Sequence, residues 1–268
     1  MMAAELTPHE TALINVLDRK TNIDALRALM FSLRPEPSTV SLASTAIAFD
    51  ANVFLRLSTH KRSVDVIDYI RSSHSAPIIL PGQAIQEFWN NQFVAVDSMA
   101  SAIRKNFEKL KGDIEKIDTA FAEFSAKFQA QIEDFSSEYG HVFDAATISR
   151  TNAFLEVLAD KASVPFVRRS VLHEIARHRK LTKTPPGFKD DGDGDFFIWA
   201  DLLTGIQTAM ENGADVQRVV LVSHDRKIDW SREGTPHPIL AAEVQAIAGV
   251  PFEIWSIDDL IKQVVLAI

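Results

Sequence analysis

The sequence contains no cysteine, which excludes disulfide scaffolds, thiolate zinc sites, iron–sulfur clusters and cysteine nucleophiles. It says nothing decisive about redox compartment. No window approaches the apolar length needed to span a bilayer, and the first residues, MMAAELTPHETALINVLDRK, lack the basic start and continuous apolar run of a secretory signal. The expectation is a soluble, cytoplasmic protein with no membrane partner. Positive charge is also short: 28 Lys and Arg stand against 36 Asp and Glu, for a formal net charge of -8. That balance argues against gripping nucleic acid over the whole surface, yet leaves room for one local basic face. Gly-rich phosphate loops, nucleophile elbows, internal repeats and low-complexity segments are missing as well.

What is present is enough apolar chain for a real core. The 268 residues are 46% hydrophobic and 24% charged, fitting one large domain or one domain carrying a substantial insertion. Residues 7–33 place Leu13, Ile14, Leu17, Ile23, Leu26, Leu29, Met30 and Leu33 at helical spacing, so one or two helices are expected there. The run TAIAF at 45–49 has no helical stripe and ends in Asp50, a buried strand feeding a helix. APIIL at 76–80 repeats the pattern and is closed by Pro81-Gly82, after which a helix carries Glu87 in its early turns. From 92 to about 180 only amphipathic helical patterns are legible, and no strand is expected. A Pro-, Gly- and Asp-rich loop follows at 182–194, then a helix opened by Asp195, a strand at 219–223 leading to His224-Asp225, a helix at 238–249, a strand at 252–255 and a last helix. Strands alternating with helices predict an α/β fold whose parallel, doubly wound sheet of about four to five strands carries an all-helical insertion. The expected divisions are an N-terminal helical segment at 1–44, the first part of the α/β domain at 45–91, the insertion at 92–184 and the second part at 185–268.

In such sheets the functional crevice lies at the carboxyl ends of the strands. Asp50 and Asp225 sit at or just past those ends, and Glu87 and Asp195 lie on the helices beside them. Any one of these acids alone reads equally as a helix cap, a turn residue or a solvated glutamate. Four from four separate stretches cannot easily pack together as bare anions. A divalent cation resolves the conflict, and oxygen-only ligands suit Mg²⁺ or Mn²⁺, which orient a water and stabilise charge on a phosphodiester undergoing hydrolysis. The four carboxylates are therefore expected to converge in one cleft.

The stretches AFDANVFL (48–55), PGQAIQEFWNNQ (81–92), PPGFKD (185–190), GDFFIWADLL (194–203) and LVSHDRKIDW (221–230) resemble the PIN-like nucleases, in particular a bacterial subgroup with a long helical insertion. The resemblance implies that Asp50, Glu87, Asp195 and Asp225 are catalytic, metal-holding acids, with Asp190 and Asp229 at further acidic positions of the subgroup. Ser223 stands where a Thr is usual and keeps the hydroxyl. The same resemblance implies a metal-dependent endonuclease that favours RNA over DNA and acts as a toxin or an effector of bacterial defence. It leaves room for a regulatory protein partner or a homo-oligomer. The competing readings are a structure-specific or single-strand DNA nuclease, a metal-dependent phosphatase on a related fold, and a binding or scaffold module whose acids are structural.

Two other patterns fail on spacing. Asp191, Asp193 and Asp195 mimic a calcium loop, but Phe196 occupies the required Gly position and Leu202 the position of the bidentate Glu. His173 and His178 are five apart, so they leave the common helix face that a zinc-protease motif needs. Residues 167–189 gather Arg168, Arg169, Arg177, Arg179, Lys180, Lys183 and Lys189 against the single acid Glu174 before Lys189. Arg177, Arg179, Lys180 and Lys189, with Arg226 and Lys227, are the candidate contacts to a nucleic-acid backbone. Phe107, Phe121, Phe124, Phe128 and Phe135 read as a helix-packing stripe rather than a base-stacking platform.

Overall fold

The computed structural model describes residues 5–33, 40–92, 145–225 and 227–268, with isolated helical positions between 106 and 131. Its centre is a parallel sheet of five strands, in the order β3 (Ala162–Ser163), β2 (Ile78–Ile79), β1 (Thr45–Phe49), β4 (Arg218–Val222) and β7 (Phe252–Trp255). β1 and β4 are buried at every residue, as strands covered on both faces must be. They pair in unbroken register from Thr45 opposite Arg218 to Phe49 opposite Val222. β2 and β3 extend the sheet on the β1 side, and β7 closes it beyond β4. A separate antiparallel pair, β5 (Ser231–Arg232) and β6 (Thr235–Pro236), turns through Glu233 and Gly234, both at positive φ.

The helices fall into two groups flanking the sheet. α3 (Val53–Thr59), α4 (Ser63–Ser72), α6 (Ala145–Lys161) and α10 (Ile257–Ala267) pack among themselves. So do α1 (Pro8–Leu17), α2 (Ala25–Leu33), α5 (Gly82–Glu87), α7 (Arg169–Leu181), α8 (Gly194–Glu211) and α9 (Pro238–Ala248). α8 is the apolar spine of the second group, with Phe196 to Leu203 all buried and Trp199 meeting Trp230 and Phe252 edge-on. α1 sinks Leu13, Ile14 and Leu17 into the same core as the strands. No described helix is long and apolar enough to cross a membrane.

Two buried carboxylates stitch this layer together. Asp201 on α8, fully buried, takes two hydrogen bonds from Arg169 (2.9 and 3.0 Å) and accepts the backbone N–H groups of Gln83 and Val167. Glu243 on α9 accepts from Arg179 (2.7 Å), Arg19 (2.6 Å) and the Trp199 indole (2.6 Å).

The expectation of no strand between 92 and 180 is corrected: β3 lies inside that interval and forms an edge of the sheet. Ala162-Ser163 has no apolar run, and its strand character comes from pairing with Ile78 and Ile79. Glu87 ends α5, and the helical turns expected after Gly82 run on as a π-helical turn, Phe88–Gln92.

Candidate active site

The strand order reverses direction between β1 and β4, so the crevice expected of a doubly wound sheet opens beyond Phe49 and Val222. The chain leaves β1 as Asp50, whose N–H still donates to Val222 O at 3.0 Å. Its Oδ2 accepts from the Ser223 hydroxyl (2.7 Å) and the Asn52 amide (2.6 Å). Ser223 in turn accepts the N–H of Asp225 (2.9 Å), and Asn52 Oδ1 accepts that of His224 (2.9 Å). One hydroxyl and one amide thus tie the ends of both strands to a single carboxylate oxygen.

Glu87 reaches the same crevice from the end of α5, steadied by the Gln83 amide at 3.1 Å. Its carboxylate lies so close to Gly194 that a Cβ there would push Oε1 aside. Asp195, one residue further, accepts from the Trp230 indole at 2.9 Å. The loop before α8 brings in Asp190 through Gly187, held at φ +83 with its N–H on the buried Asp229 carboxylate (3.0 Å). Asp50, Glu87, Asp195 and Asp225, with Ala51, Asn52 and Lys227, line one solvent-open cleft of about 220 Å³.

The electrostatics match crowded carboxylates. Burial, helped by the charge of Asp225, pushes Asp50 upward against the hydrogen bonds from Ser223, Ala51 and Asn52. Burial and the charges of Asp50 and Asp190 raise Glu87. Burial and a hydrogen bond shared with Asp190 lift Asp195 to about 7. Asp190 moves the other way: burial opposes its charge, but the bonds from Lys227 and Asp195 prevail. Burial likewise disfavours the Lys227 ammonium, and the surrounding acids outweigh it and hold it charged. That ammonium lies 2.6 Å from Asp190, 3.0 Å from Asp225 and 3.2 Å from Asp195. Among the described residues, no group of three His, Asp or Glu is arranged to hold a metal ion.

The sequence matches the model of the PIN-like domain family over residues 46–241. This chain belongs to that family. Neither the curated proteins nor the solved structures hold a match to it. PIN-like domains are generally nucleases that use divalent metals, so the fold is of nuclease type and implies a nucleic-acid substrate. The match runs from β1 into α9, spanning all the acids of the cleft.

The basic residues of this PIN-like domain are placed differently from expectation. Arg179 is corrected: it is 4% exposed and bound to Glu243, Leu17 O and Pro185 O, so it holds the fold and offers nothing to a phosphate. Arg168 pairs with Glu10, Arg169 with Asp201, and Lys180 caps the carbonyls of Asp191 and Gly192. Lys227 points into the acids rather than outward. Arg177 and Lys189 are exposed, while Arg226 and the five phenylalanines of the helical stripe lie outside the described residues. Sequence reasoning also passed over Asn52, Gln83 and Trp230 as partners of the acids. An amide two residues after a strand-end aspartate was the legible signal for Asn52; the others depend on packing between distant segments.

Proposed function

We propose that this protein is a metal-dependent nuclease that hydrolyses phosphodiester bonds, with Asp50, Glu87, Asp195 and Asp225 as the acids that bind the cation and Asp190 as an auxiliary carboxylate. The observation that carries the reading is the convergence of four acids, from segments up to 175 residues apart in numbering, on one open cleft at the sheet's switch point. The donor set fits Mg²⁺ or Mn²⁺, being oxygen only, with Asp50, Glu87 and Asp195 all pushed toward protonation, first by burial and then by neighbouring carboxylates. When bound, such an ion activates a water and stabilises charge on the phosphate. The chain's own part is positional. Ser223 and Asn52 fix Asp50, Gln83 fixes Glu87, and Trp230 fixes Asp195, which limits the freedom of each carboxylate.

RNA is the favoured substrate and a toxin or defence effector the favoured role, both on the strength of family resemblance. A non-catalytic module is the second reading, favoured by one observation: Lys227 already compensates three of the acids. Incubation with Mn²⁺ and labelled single-stranded RNA, single-stranded DNA and duplex DNA separates these. Cleavage of RNA alone supports the first reading, cleavage of DNA redirects the substrate, and no cleavage of any of them leaves the scaffold.

A further inference from the structure

The acids of the cleft differ in what neutralises them. An ammonium has three hydrogens to donate, and Lys227 directs its own toward Asp190, Asp225 and Asp195. The side-chain donors to Asp50 and Glu87 are neutral: the Ser223 hydroxyl and the amides of Asn52 and Gln83. Asp195 and Asp225 line the same cleft as Asp50 and Glu87, so all four would hold a divalent cation there. Such an ion and the Lys227 ammonium would compete for Asp195 and Asp225, and like charges repel strongly in a partly desolvated site.

Only one of the two cations is tethered by a flexible stem. The Lys227 side chain is 36% exposed, and its four carbons let the ammonium swing out. Its backbone need not follow, because the N–H of Lys227 is separately bound to Asp225 Oδ1 at 2.8 Å. We propose that Lys227 is the resident counter-ion of the cleft and that a divalent cation enters by displacing its ammonium from Asp195 and Asp225. The inference rests on the metal-dependent reading above and adds to it a regulation of loading. The fold tolerates its clustered acids without metal, and the ion must outcompete an intramolecular charge to bind.

Mn²⁺ titration calorimetry on the wild type and Lys227→Met tests this. The variant is expected to bind Mn²⁺ at least about tenfold more tightly, since it removes a competitor and keeps the apolar stem. In EDTA it is expected to melt below the wild type, with the gap closing at saturating Mn²⁺. Equal or weaker Mn²⁺ binding by the folded variant overturns the exchange while leaving the nuclease reading intact. Absence of Mn²⁺ binding in both proteins overturns both. A second measurement needs no variant: in the wild type, acylation of Lys227 by an amine-reactive ester, followed by mass spectrometry, should speed up several-fold on Mn²⁺ saturation. An unchanged rate at saturation overturns the displacement.

Discussion

At Asp50 the fold tolerates an anion that burial disfavours, and this gives opposite signs to function and stability. Asp50→Asn keeps the size and an acceptor for Ser223 but removes the charge that draws a cation. Outer partners of metal ligands alone are worth about 10 to 100-fold, so loss of this ligand is expected to lower Mn²⁺-dependent cleavage by at least about 100-fold. Melting in EDTA should stay level or rise, because one member of a repelling group has been neutralised. Undiminished cleavage at limiting Mn²⁺ would remove Asp50 from the ligand set. His74 supplies a pH response remote from this chemistry. Its ring nitrogens are buried without hydrogen-bond partners among the described residues, and burial lowers its pKa from 6.5 to about 4. The neutral form is the one that folds, so its contribution is complete above about pH 6.5 and is lost as pH falls toward 4. The loss is on the order of 3 kcal/mol. Chemical denaturation of wild type and His74→Phe across that window checks it: the variant's stability should fall less, and parallel curves would dismiss His74.

At the scale of elements, β1 and β4 are legible because each is a short, largely apolar run ending at a polar junction, and Asp50 and Asp225 are legible because they sit at or just past those junctions. β3 is not, since Ala162 and Ser163 become a strand only against β2. Arg179 and Lys227 are not legible either: a cation turned toward Glu243 or Asp195 has the same local sequence as one turned toward solvent. The Asp201 tie shows how such hidden pairs serve the site. It holds the Gln83 N–H and Arg169, Arg169 also reaches Gln83 Oε1 (3.3 Å), and Gln83 steadies Glu87. Asp201→Ala strands Arg169 and two backbone donors, so a loss of about 3–5 kcal/mol in urea unfolding is expected. Cleavage by the fraction still folded should fall as well, because Glu87 loses its support. A change below about 1 kcal/mol would show that the tie is dispensable.

For the molecule as a whole, an ion that binds only the folded cleft must raise its stability. Mn²⁺ at a hundred times its Kd should add about 2.7 kcal/mol to the wild type and much less to Asp50→Asn at the same concentration. Equal shifts in both would place the ion elsewhere. The register of β1 against β4 has one more consequence. Asp50 is made before Asp225, and the sheet that sets them side by side forms only when both strands are present. Domains fold as units once their chain has emerged. A polypeptide still leaving the ribosome therefore carries its first acid without its fourth, and the cleft that gathers them is completed only once β4 has emerged and paired with β1.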